Sequence, residues 1–169
     1  ADWPIEKRDA FVSAFARLKQ KIIWRYDNET LPGKPENVEI VSWLPQRDIL
    51  THENIKLFIS HGGYLGTTEA VAEGVPILGM PLFGDQGVMY LISFLYSNIY
   101  CPFEQMNLAI AAYQERGLVL EIEDITEDKV YALITEIISN PKYKQNAMKV
   151  AKQFKDRPMT PEQLVVYWT

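Results

Sequence analysis

The apolar residues of this 169-residue chain switch repeatedly between helical and extended spacing, and that alternation limits the fold more than any other feature. Phe11, Phe15, Leu18 and Ile22 recur at helical intervals after an acidic, proline-containing start (Asp2, Pro4, Glu6) that suits a helix N-terminus. Lys21–Tyr26 reads as a strand, Leu31–Pro35 carries turn chemistry, Asn37–Trp43 alternates like a second strand, and Ile55–Ser60 is an apolar third. His61–Gly66 is a glycine-rich loop. Thr67–Glu73 reads as a helix ended by Gly74, and Pro76–Met80 as a short fourth strand. Gln105–Arg116 is expected to be a helix stopped by Gly117, with Leu118–Ile122 a fifth strand. Val130, Leu133, Ile134, Ile137 and Ile138 form an amphipathic stripe, with Thr126 as its N-cap and Asn140-Pro141 as its stop. A basic amphipathic helix follows to about Asp156.

Strands alternating with helices across short connections imply an α/β fold, a Rossmann-like and mostly parallel sheet covered on both faces. Such sheets bind ligands outside the carboxyl ends of their strands. Trp43, His61 and Met80 fall at or just past predicted strand ends, so that edge is where function is sought. Composition removes several alternatives. Apolar residues make up 47% of the chain, enough for a core. The 17 basic residues are outnumbered by 22 acidic ones, which leaves no broad basic surface for nucleic acid. One cysteine, Cys101, excludes an intrachain disulfide and a cysteine-rich zinc site. Two histidines, His52 and His61, leave little for a histidine cluster, so no metal is expected. No signal peptide and no apolar run long enough to span a membrane are visible.

Each candidate residue has a bland reading beside a functional one. The strand–loop–helix unit around His61, Gly62, Gly63 and Gly66 can set backbone N–H groups against an anion, or be a plain tight turn; it matches neither GxGxxG nor a P-loop. His61 is a turn histidine or a donor to a phosphate oxygen. Glu69 is a carboxylate favouring the helix dipole, or an acceptor for the two hydroxyls of a ribose. Trp43 and Gln46, in Trp43-Leu44-Pro45-Gln46, are a core indole with a turn, or a stacking surface with an amide for a base edge. Asp85-Gln86 is a solvated turn or a pair that binds sugar hydroxyls.

Together these stretches resemble the donor-binding signature of the UDP-glycosyltransferases, the inverting family 1 enzymes. The matching runs are WLPQ (43–46), FISHGG (58–63), TTEA (67–70), GVP (74–76) and PLFGDQ (81–86), with KIIWRY, LPGKPENV, NPKYKQNA and FKDRPMTPEQLVVYW in the flanks. The flanks are most similar to invertebrate members. The resemblance implies the C-terminal, UDP-sugar-binding half of a GT-B architecture. Trp43 would stack on uracil, with Gln46 near uracil and ribose. His61, Gly62, Gly63, Gly66 and Thr67 would meet the diphosphate, Glu69 the ribose hydroxyls, and Asp85 with Gln86 the transferred sugar. A hexosyl group, glucose or glucuronate, would pass to a small lipophilic acceptor without a metal or other cofactor. The catalytic base would lie in an N-terminal domain that this chain lacks. The full-length enzyme is expected in the endoplasmic reticulum membrane, in detoxification, and as a homo- or hetero-oligomer.

Three departures from the family pattern follow. The chain starts after the family's first Rossmann strand, and it stops before the family's membrane anchor, so residues 1–169 read as an incomplete donor-binding domain. Between Gln86 and Gln105 stand 18 residues, Gly87–Glu104, whose deletion restores the family spacing Asp-Gln-Gln-Met-Asn. This insertion opens with Gly-Val and is read as a retained, in-frame intron; the alternatives are a genuine loop or extended helix, or a membrane-touching element. A competing view of the whole chain is a truncated, non-catalytic isoform or pseudogene product that binds nucleotide or pairs with full-length enzyme.

Overall fold

The computed structural model describes residues 4–26, 28, 30–81, 103–159, 163, 166 and 167. Helix α1 (Ile5–Ala16) opens with Pro4 at its N-cap and Glu6 in its first turn, and buries Phe11, Val12, Ala14 and Phe15. Its last carbonyls are satisfied from outside. The Asn37 amide donates to the carbonyl oxygens of Phe15 and Leu18 at 2.9 and 3.0 Å. Strands β1 (Ile22–Arg25) and β2 (Val38–Val41) pair in parallel, with Ile22 opposite Val38. Phe11, Phe15, Trp24 and Tyr26 stack edge-on or tilted in one aromatic cluster, which pins α1 to this sheet.

A second parallel sheet has the order β3-β4-β5, formed by Phe58–Ser60, Ile77–Gly79 and Gly117–Val119. The expected parallel α/β arrangement is therefore present, but as two sheets among the described residues rather than one. β1 and β3 are both sheet edges. All three residues of β4 are buried, as a strand covered on both faces must be. Two helices, α5 (Glu127–Ser139) and α6 (Pro141–Lys155), follow the second sheet. α5 turns Val130, Ile134 and Ile137 into the same core as α1. Thr126 caps it as expected, accepting from the Lys129 N–H at 3.3 Å. Asn140 does more than stop α5: its side chain accepts from the Lys142 N–H at 3.2 Å and so also starts α6.

Several boundaries differ from the sequence reading. A six-residue helix, α2 (Gln46–Thr51), stands where only a connection was expected, because so short a helix shows no periodicity. Helix α3 (Tyr64–Ala72) starts three residues earlier than Thr67, directly on the glycine pair. Gly74, at φ +61°, ends it as expected. Gly117 does not stop helix α4 (Phe103–Tyr113); it opens β5. The reversal comes earlier, through Glu115 at φ +48°. Gly117 is glycine for a steric reason: a Cβ there would run into the Ile77 carbonyl oxygen. β5 is shorter than Leu118–Ile122 since its partner β4 offers three residues, and Ile122–Asp124 turns into a 3₁₀ helix. The expected insertion Gly87–Glu104 lies outside the described residues, apart from its last two positions, which open α4.

Gly117→Ala should therefore force β4 and β5 apart and cost about 2 kcal/mol or more, read from urea unfolding. A loss below about 0.5 kcal/mol would show that the pair separates easily.

Candidate functional site

The site grows from the carboxyl end of β3. Buried Ser60 accepts the Gly62 N–H on its hydroxyl at 3.2 Å, which folds the chain back on itself. Gly62 stands at φ +90°, a conformation that favours glycine. Gly63 is glycine for space: a Cβ there would lie 2.5 Å from Nε2 of His61, so the imidazole lies against the bare backbone. Gly63 is also the N-cap of α3, and it has no side chain with which to cap the helix's first N–H groups. Those donors and the helix dipole make this end receptive to an anion. From the other side, Asn107 of α4 donates its amide to the Gly62 carbonyl at 3.0 Å. The loop is thus held at Gly62 through both its N–H and its carbonyl.

A second element lies between α2 and α3. Gln46, the first residue of α2, donates from Nε2 to Oε2 of Glu69 at 2.6 Å. The bond is short because its acceptor is charged. Gly66 leaves room for it: a Cβ there would meet Gln46 Nε2 at 3.3 Å and the Phe58 ring at 3.5 Å. Glu69 lies in the second turn of α3, which has no acid in its first turn, so a helix-dipole role does not account for it. An ionised carboxylate has about four acceptor positions, so the bond to Gln46 leaves capacity for a diol. Trp43 follows β2 with its indole 75% exposed, which removes the core reading and leaves an open aromatic face.

Gly62, Gly63 and His61 are brought together, as are Gln46, Gly66 and Glu69. Thr67 is not with them. Its N–H is already bonded to the Gly63 carbonyl, and its side chain is buried in a different cleft. On α3 the positions 66 and 69 face one way and 64, 67, 68 and 71 the other. Asp85 and Gln86 lie outside the described residues. Asn107 was given no role from sequence, although the spacing Asp-Gln-Gln-Met-Asn ends on it; a lone asparagine on a helix carries no signal until its partner loop is in place. No three His, Cys, Asp or Glu side chains group as a metal site among the described residues. No described helix is long and apolar enough to cross a membrane.

A parallel α/β sheet with a glycine-rich loop at a strand end, leading into a helix N-terminus, is an arrangement that can receive an anion. The solved UDP-glucose: anthocyanidin 3-O-glucosyltransferase in complex with UDP matches 94% of this chain and 34% of its own, at a TM-score of 0.73 and 22% identity. That likeness carries the fold, one half of a GT-B architecture. Residues 1–169 match the family model for UDP-glucoronosyl and UDP-glucosyl transferases, and the chain belongs to that family. UDP-glycosyltransferase UGT5 of Dactylopius coccus is 44% identical over 167 residues, 99% of this chain and 28% of that protein. The human 2-hydroxyacylsphingosine 1-beta-galactosyltransferase is 35% identical over 155 residues, 92% of this chain and 25% of its own length. The chain thus spans a quarter to three tenths of these relatives.

Asn107→Ala should release Gly62, with faster amide exchange at Gly62 and Gly63 and about 1 kcal/mol of lost stability. Asn107→Asp, which has no hydrogen to donate, should do the same. Unchanged exchange in both would mean that Ser60 holds the loop alone.

Proposed function

We propose that this chain is the donor-binding part of a UDP-glycosyltransferase that passes a hexosyl group, glucose or glucuronate, to a small lipophilic acceptor. The observation that carries this reading is the Gln46–Glu69 hydrogen bond of 2.6 Å, which joins a base-edge amide to a diol-accepting carboxylate on the helix whose uncapped start faces the glycine loop. Trp43 stacks on uracil, and Gln46 reaches uracil and ribose. Glu69 accepts from the two ribose hydroxyls. His61, Gly62, Gly63 and Gly66, with the first N–H groups of α3, meet the diphosphate. Asp85 and Gln86 take the sugar. Thr67 drops out of this set, because its backbone donor is used and its hydroxyl faces away from Glu69.

In the transfer, the acceptor hydroxyl attacks the anomeric carbon as the bond to UDP breaks, with inversion. Negative charge then builds on the departing diphosphate, and donors fixed in advance at the loop and the start of α3 stabilise it. No metal takes part. The base that removes the acceptor proton belongs to an N-terminal acceptor domain outside these residues. The whole enzyme works at the endoplasmic reticulum membrane. UDP release with and without an acceptor separates this reading from a non-catalytic role that binds nucleotide or pairs with a longer copy.

Titration calorimetry with UDP tests the site. Trp43→Ala should weaken UDP binding by about 1–3 kcal/mol, the usual worth of a base–aromatic stack, and Glu69→Ala should weaken it comparably. Equal heats for UDP and AMP would remove the assignment. A second measurement concerns Gly87–Glu104, where 12 of 18 residues are apolar and interrupt the family spacing before Asn107. Deleting the segment should raise the melting temperature and tighten UDP-sugar binding more than UDP binding. A lower melting temperature would make it a structural part of the protein, and the intron reading would fall.

A further inference from the structure

The other face of α3 borders a cleft of about 230 Å³ between α3, α4 and α6. Val71, Ile110, Val150 and Phe154 give it apolar walls, and Thr67 and Arg116 contribute its buried polar groups. Arg116 is 3% exposed and Thr67 is 5% exposed. The Arg116 Nη1 and the Thr67 Oγ1 are both cut off from solvent and have no hydrogen-bond partner among the described residues. Such groups are rare in folded proteins and point to something that completes them. The guanidinium is held in place: its Nε donates to Oε1 of Gln114 at 2.8 Å, and the Arg116 N–H donates to the Ala111 carbonyl at 3.0 Å. Burial lowers its pKa from the ordinary value, and no carboxylate among the described residues offsets that.

A buried guanidinium with an unused N–H is a site for an anion, and its planar fork suits a carboxylate. Four apolar walls exclude a fully hydrated ion such as phosphate and call for an apolar body behind the charge. The volume lies below the roughly 300–1,000 Å³ of pockets that take drug-sized ligands, so that body is compact. We propose that this cleft binds a small apolar monocarboxylate, whose carboxylate accepts hydrogen bonds from Arg116 Nη1 and Thr67 Oγ1 while its body packs against Val71, Ile110, Val150 and Phe154. The cleft lies on the face of α3 that turns away from Gly66 and Glu69, and Asn107, which holds Gly62, is among its lining residues.

Benzoate is the probe, titrated into the full chain by NMR beside benzyl alcohol and inorganic phosphate. Benzoate should saturate at one equivalent, at least about tenfold more tightly than either control, with shifts at Thr67 and Ile110. Thr67→Val should weaken it several-fold and Arg116→Met should abolish it. Arg116→Met also removes an unpaired buried charge, so without ligand its melting temperature should equal or exceed that of the parent. Should that variant fail to fold, Arg116→Lys keeps the charge without the fork, and should lose about tenfold in benzoate affinity with UDP binding unchanged. Equal affinity for benzoate and benzyl alcohol, no saturable benzoate signal, or parental benzoate binding in Arg116→Met or Arg116→Lys would overturn the proposal.

Discussion

Gly79 has no side chain, and the methyls of Leu108 occupy the space where one would stand. That close approach of α4 to β4 sets the spacing of everything at the carboxyl edge. Leu108 is almost wholly buried there, in a small core with Leu50, Ala70, Val75 and Ile77. Its neighbour Asn107 is thereby delivered to the Gly62 carbonyl. Packing density explains why such a placement is firm: a core filled like a crystal transmits the position of one residue to the next. Gly117 extends the same logic to β5, where the backbone of β4 passes too near for any Cβ. Two glycines inside one three-stranded sheet normally weaken it, yet here each marks a close approach that a larger residue would prevent.

The loop after β3 uses its glycines differently. Gly62 answers a backbone demand, a φ of +90°, whereas Gly63 answers a spatial one, the imidazole of His61. Their combined effect is to bring the chain from a buried strand into α3 without a capping side chain. A serine or aspartate at the N-cap would satisfy the first N–H groups internally and leave less for a ligand. A helix start left open, beside a loop held by Ser60 and Asn107, is a rigid array of donors.

Much of this was legible in the sequence because long elements declare themselves by period. α1, α5 and α6 carry stripes that survive any choice of neighbour, and Thr126 and Gly74 mark ends by local chemistry alone. The strand that precedes the glycine loop was legible from its apolar run, and the family motifs singled out His61, Gly62, Gly63 and Glu69 as candidates. What failed to show depends on partners distant in sequence. α2 is too short to have a period, and the early start of α3 follows from a loop conformation rather than from composition. Gly117 looks like a helix stop until the Ile77 carbonyl stands opposite it. The partnership of Gln46 with Glu69 spans 23 residues and cannot be read from either alone. Thr67 lies on the opposite side of α3 from Gly66 and Glu69, which the linear order of the motif does not display.

The Gln46–Glu69 bond bears on how the pair could serve a ligand. A carboxylate on an exposed helix face is ordinarily free to choose rotamers, and fixing it on binding costs about 0.5–1.5 kcal/mol of entropy. The amide of Gln46 already selects one orientation, and Gly66 and Phe58 close the space around the amide. A diol approaching Glu69 therefore meets an acceptor whose ordering has been accomplished by folding. The same bond leaves the amide oxygen of Gln46 turned from the carboxylate, since its nitrogen makes the contact, so both side chains keep acceptor capacity. Because α2 is only six residues long, this orientation cannot come from helix propensity. It comes from the packing of Leu50 in the core below, which couples the position of Gln46 to the same small cluster that Leu108 and Gly79 define.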